Sequence, residues 1–100
     1  MPKIYEYLGL IFFFYANEHL PIHVHVAKAD RESKIELVFG NGKLTAVEIK
    51  KVKGRNPLDE NELKDAVKFI KKYYEGIVYK WRDFFVMRTK VKCEVITKKL

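Results

Sequence analysis

From Ile4 to about Ile49 the chain is written largely in β-branched and aromatic residues, interrupted briefly at Leu8-Gly9, Asn17 to Pro21, Ala29 to Glu32 and Gly40-Asn41-Gly42. This punctuation predicts strands near residues 3–7, 10–15, 22–28, 33–39 and 44–49, the first two forming a hairpin that turns at Leu8-Gly9. Side chains alternate between faces along a strand, so Phe12-Phe13-Phe14-Tyr15 sends large aromatics to both sides of the sheet. Both sides therefore need cover. Helices supply it on one; the other calls for a loop, a homodimer mate or a different protein, because an exposed aromatic patch is usually an interaction surface.

After residue 56 the period changes. Pro57 stops the preceding element, Asp59 can cap a helix, and Glu62 sits three residues later to return the bond. Leu63, Val67, Ile70, Tyr74, Ile77, Trp81 and Phe84 or Phe85 then recur at three or four residues, one apolar stripe across residues 59–88. A single straight helix of that length would run about 45 Å, too long for a domain of this size. The expectation is a break near Glu75-Gly76 and two helices. Beyond Arg88, Val91, Cys93 and Val95 alternate with Lys92 and Glu94, the pattern of a short added strand. The predicted architecture is α+β: one domain over residues 1–100, mainly β over 1–49 and mainly α over 57–88. It is an antiparallel sheet of four or five strands packed on one face by two C-terminal helices.

Composition narrows the class. No apolar run approaches the twenty or so residues of a membrane span, and Glu6 interrupts the place where a signal peptide would carry its apolar region. A cytoplasmic protein with no membrane partner is expected. Cys93 is the only cysteine, which excludes an internal disulfide and any zinc site needing two cysteines from one chain. The net charge of +7 is uneven: residues 1–49 hold five Lys/Arg against six acids, residues 50–100 fifteen against seven. Lys50, Lys51, Lys53 and Arg55 form a basic connector, and Lys64, Lys68, Lys71 and Lys72 share a helical face opposite the apolar stripe. Both are candidate surfaces for nucleic acid or a partner protein, or simply solvated faces.

All three histidines, His19, His23 and His25, fall within seven residues. His23 and His25 are two apart on a predicted strand, so they share a face with Cα atoms about 6.6 Å apart. Both can grip one divalent ion, with His19 swinging back across the Pro21 bend as a third ligand and Glu18 or Asn17 offering oxygen. The same rings can instead act as a titrating pair, or be satisfied structural residues bonded to Glu18, Tyr15 or a backbone carbonyl. His-Val-His-Val resembles the histidine-triad nucleotide hydrolases, but Ala27-Lys28 stands where their further histidine continues, so the phosphate-attacking nucleophile is missing and that family is rejected. No phosphate-binding glycine loop occurs, and Ser33, the sole serine, has no nucleophile-elbow setting.

The run Phe13-Phe14-Tyr15-Ala16-Asn17-Glu18-His19-Leu20-Pro21-Ile22-His23-Val24-His25-Val26 resembles the bacterial family catalogued as domain of unknown function 4160, which carries an aromatic-aromatic-Tyr step, an acid-His pair and Pro-Pro-His-(Val/Phe)-His-Val. The likeness extends weakly to Gly54, Leu58, Glu62-Leu63 and Trp81; Ile22 departs from the second proline. The resemblance implies a shared role for His19, Pro21, His23 and His25. It also implies a gene neighbour from a second family, domain of unknown function 2442, in pairs of toxin–antitoxin type. The favoured expectation is an interaction protein of such a two-gene module, binding a partner protein and perhaps nucleic acid, with a homodimer also in view. The rival is a metal-dependent or histidine-based hydrolase, such as a nuclease, using His19, His23 and His25.

Overall fold

A computed structural model describes residues 2–100. Its sheet runs through β1 (Lys3–Tyr7), β2 (Leu10–Phe13), β3 (His23–Lys28), β4 (Arg31–Gly40) and β5 (Lys43–Lys51), each antiparallel to its neighbour, and ends with β6 (Glu94–Ile96). β6 lies parallel to β1, so the order is β5-β4-β3-β2-β1-β6 and the sheet is six-stranded and mixed. The expected all-antiparallel sheet of four or five strands is therefore corrected. The short tail strand joins the first strand's free edge in the direction that its long return from the helix imposes. At the β4–β5 turn, Asn41 and Gly42 take φ of 54° and 79°, the pair of positive angles that a two-residue hairpin turn demands.

A single C-terminal α-helix, α1 (Glu60–Trp81), covers one face, in place of the two helices expected. It bends at Tyr73 (φ −112°, ψ 16°) without ending there, and after Trp81 it widens into one π-helical turn over Arg82–Val86. At about 1.5 Å per residue its 22 residues span about 33 Å, which matches the molecule's longest extent of 33 Å. The length objection therefore applied to the whole stripe, and the stripe's last turn is no longer α-helical. Gly76 marks contact instead of a break. The Tyr5 hydroxyl lies against the helix there, so a Cβ on residue 76 would clash with Tyr5 Oη and sit 3.3 Å from its Cζ.

Phe69 centres the core, with Tyr5, Tyr7, Phe12 and Tyr73 rings at 5.2, 5.1, 4.6 and 4.5 Å. Val24, Val26, Ile35, Ile70 and Ile77 close around it, all fully buried. The helix start follows the sequence reading: Asp59 accepts from the Glu62 N–H, and Glu62 accepts from the Asp59 N–H. Glu62 also receives Arg31, whose Nε donates to Oε1 at 2.8 Å and whose Nη2 donates to Oε2, fastening β4 to the helix. The Arg31 guanidinium holds the Glu62 carboxyl at about 2, against burial and well below the ordinary 4.5. Since the folded value lies below the unfolded one, the pair's contribution is whole above about pH 4.5 and is lost as pH falls toward 2. Thermal midpoints measured through that window should fall, and Glu62→Gln should flatten that part of the profile.

Candidate functional site

Register places the histidines. His25 pairs with Phe13 on β2 and with Lys34 on β4, and His23 pairs with Glu36, so these side chains share the face opposite α1. Their sequence neighbours Val24 and Val26 point into the helix-covered core, as the alternation predicts. The second aromatic face is covered by the chain itself. The loop over residues 14–22 folds back across it, and Phe13 is buried beneath Tyr15 (5.3 Å, edge-on) and His25 (5.5 Å, stacked). The loop answers the need that a homodimer mate or a partner protein was also expected to meet.

Glu18 is brought by this loop to both rings. Its Oε2 lies 2.7 Å from His23 Nε2 and its Oε1 2.8 Å from His25 Nε2. The loop is tied to the same carboxylate by the Tyr15 N–H, which donates to Oε1 at 3.3 Å. Glu18, His23 and His25 offer three donor atoms within 4.8 Å of one another. His19, expected beside them, is exposed in the same loop and stands outside this group, which joins two histidines to a carboxylate. The backbone reverses side-chain direction at each extended residue, and Glu18 takes the inward position that His19 was expected to fill.

The other ring nitrogen of each histidine is fixed. His23 Nδ1 lies 2.8 Å from the Pro21 carbonyl, just past the cis Leu20–Pro21 peptide, and a carbonyl can only accept. His25 Nδ1 lies 3.0 Å from Glu32 Oε2, which also accepts the Tyr15 hydroxyl at 2.9 Å. Arg55 Nη2 stands 3.8 Å from the other Glu32 oxygen. With both Nδ1 atoms donating, a ring in its neutral form keeps its lone pair on Nε2, beside an oxygen that also bears lone pairs. His23 Nε2 is fully buried and, despite the 2.7 Å approach, lies out of line for a hydrogen bond. Trp81 meets the His23 ring edge-on at 5.3 Å, so this core residue also walls the site.

The electrostatics suit coordination. Burial works against ionising Glu18, but hydrogen bonding and charge attraction from His23 and His25 in their protonated forms, with the Tyr15 N–H, outweigh it and hold its carboxyl below the ordinary range. Burial depresses the His25 imidazole more strongly than Glu18 and Glu32 raise it, favouring the neutral ring. An ionised carboxylate and neutral imidazoles are the forms that bind metal. Burial, then the bond to Glu32, pushes the Tyr15 phenol up, so it remains the donor to Glu32.

The basic candidates are divided between two surfaces. Lys50, Lys51, Lys53 and Arg55 are exposed along the end of β5 and the connector, and Arg55 alone reaches the site. Lys64, Lys68, Lys71 and Lys72 are exposed on α1, across the sheet from the histidines. Glu32 is the residue at this site that the sequence reading did not name. The available signal was the tight β3–β4 hairpin at Ala29-Asp30, which pairs His25 with Lys34 and makes Glu32 its diagonal neighbour. Among the described residues no helix is long and apolar enough to cross a membrane.

No curated protein and no solved structure matches the chain. One family model does, over residues 9–82, well over half of the chain and a span that holds Tyr15, Glu18, His23, His25, Glu32 and Arg55. The chain belongs to the family described as Domain of unknown function (DUF4160).

Proposed function

We propose that this protein binds one divalent first-row transition ion through Glu18, His23 and His25 and uses it for hydrolysis. One observation carries the reading: two buried ring nitrogens, left with lone pairs by their own Nδ1 bonds, face the two oxygens of one carboxylate. Groups brought this close share a cation, a ring proton or a metal ion, and burial of His25 disfavours the proton on that ring. Two histidines and one carboxylate suit zinc, iron or manganese and leave coordination positions for water and substrate. A bound ion there would polarise an ester oxygen and lower the pKa of a water. Lys34, the register neighbour of His25, and Arg55, beside Glu32, favour an anionic substrate such as a phosphodiester.

Cobalt(II) titrated into chelator-treated protein should bind one ion per chain and give visible ligand-field bands. Glu18→Ala, with its fold verified by circular dichroism, should lose them. An unchanged spectrum in Glu18→Ala, or no binding at all, would remove the metal centre; bound metal without phosphodiesterase activity would remove the hydrolytic role alone.

A second reading, an interaction protein of a two-gene toxin–antitoxin module, is supported by the exposed lysines of β5 and α1, which lie apart from the histidines. It expects the protein to capture the product of its neighbouring gene, and any nucleic-acid binding to weaken steeply with salt.

A further inference from the structure

β5 is one outer edge of the sheet, nine residues long, with a strand on only one side. Natural sheets protect such edges by covering, bending or charging them, since the unpaired backbone groups invite another strand. Here α1 lies beside it but leaves part of its inner face open. Ile49, on the helix-side face, is 48% exposed, whereas its register partner Ile35 is fully buried. Between β5 and α1 runs a groove of about 660 Å³, floored by Ile49, Leu63 and Val67 and walled by Lys64, Lys68 and Lys71. Asp65 is the one acid lining it.

We infer that this edge receives an extended, acidic segment of another protein, which pairs with β5 and lies in the groove. A strand presents alternate side chains to its two faces, so on its helix-side face apolar residues would cover Ile49, Leu63 and Val67 and acidic residues among them would reach the lysines, while its other face stays polar. Charge selects this occupant over a second copy. Antiparallel pairing of β5 with itself about Val47 sets Lys43 against Lys51 and brings two lysine rows together. A nucleic acid would meet the lysines, yet would leave the apolar floor and the strand's backbone groups unpaired. The inference uses the sheet edge and the helix, and it holds with or without metal at the histidines.

The test is a titration of isotope-labelled protein with a synthetic peptide as long as β5 that carries valine and glutamate in turn at every second position with threonine between, and with the same peptide carrying lysine in place of glutamate as control. The acidic peptide should shift the resonances of residues 43–51 and 63–71, slow amide exchange in β5 and bind more weakly as salt rises. Chelator should change nothing. Lys64→Glu/Lys68→Glu/Lys71→Glu, its fold checked by circular dichroism, should weaken binding roughly tenfold, as three exposed charge pairs would. Failure of the acidic peptide to alter β5 exchange, or an equal response to the lysine peptide, overturns the inference. So does a dimer in sedimentation that buries β5, or a single-stranded RNA that slows the same amides.

Discussion

Glu32→Gln is expected to weaken divalent-metal binding about 10–100-fold without removing any atom that touches the ion. Glu32 is 2% exposed and accepts from both His25 Nδ1 and the Tyr15 hydroxyl on one oxygen. That bond holds the ring so that Nε2 carries the lone pair, and the carboxylate's charge makes the ring a better donor. Glutamine keeps the shape but not the charge, and only its carbonyl can accept. His25→Ala removes a ligand outright and should cost more than Glu32→Gln. Calorimetric titration with zinc, beside thermal melts of the metal-free proteins, separates the cases. A Glu32→Gln variant that melts lower yet binds zinc as tightly as the parent would make Glu32 a fold residue only. Tyr15→Phe, which removes one donor to Glu32, should fall between the parent and Glu32→Gln.

The second large effect lies at Gly76. Alanine in a helix interior ordinarily gains about 1 kcal/mol over glycine, but here the added methyl meets Tyr5 Oη. Tyr5 has little room to retreat: it is 3% exposed, with Phe69 and Tyr73 against its ring and the Lys80 ammonium 5.0 Å from its centroid. Overpacking of this kind costs typically about 1–3 kcal/mol, and the upper end is expected. For a domain of this size that lowers the thermal midpoint by about 12 °C or more. Tyr5→Phe removes the offending atom and leaves Cζ at 3.3 Å from the new methyl, so Tyr5→Phe/Gly76→Ala should recover most of the loss. Denaturant unfolding of the four proteins gives the coupling directly. An additive cycle would mean that the helix shifts away from β1 instead of pressing on Tyr5.

Local rules carried the sequence reading as far as they reach. The β hairpins, the Asp59–Glu62 capping box and the shared face of His23 and His25 each depend on residues a few positions apart, and each formed. Contacts across long separations were beyond those rules. Gly76 looked like a helix breaker because its reason for being glycine is Tyr5, far away in sequence. Glu32 looked like part of a turn because its bond to His25 needs the hairpin register. His19 matched the metal-ligand type better than Glu18, yet the path of one loop decided which side chain turned inward. The doubly aromatic strand was read correctly as needing cover on both faces, and the choice among loop, mate and partner was made by tertiary folding. The lysines of β5 and α1 formed one list in sequence and became two surfaces once the sheet stood between the helical lysines and the histidines.

The parallel pairing of β6 with β1 bears on the order of events during synthesis. β1 through β5 and their hairpins can form as they emerge, each from contacts close in sequence, whereas the outer edge of β1 waits until the helix has been made and Glu94–Ile96 follows it. Until then the nascent chain presents two bare strands to its surroundings, β1 as well as β5. Ribosome-bound chains stopped before Glu94 should be the most prone to mispairing, and emergence of Glu94–Ile96 closes that side.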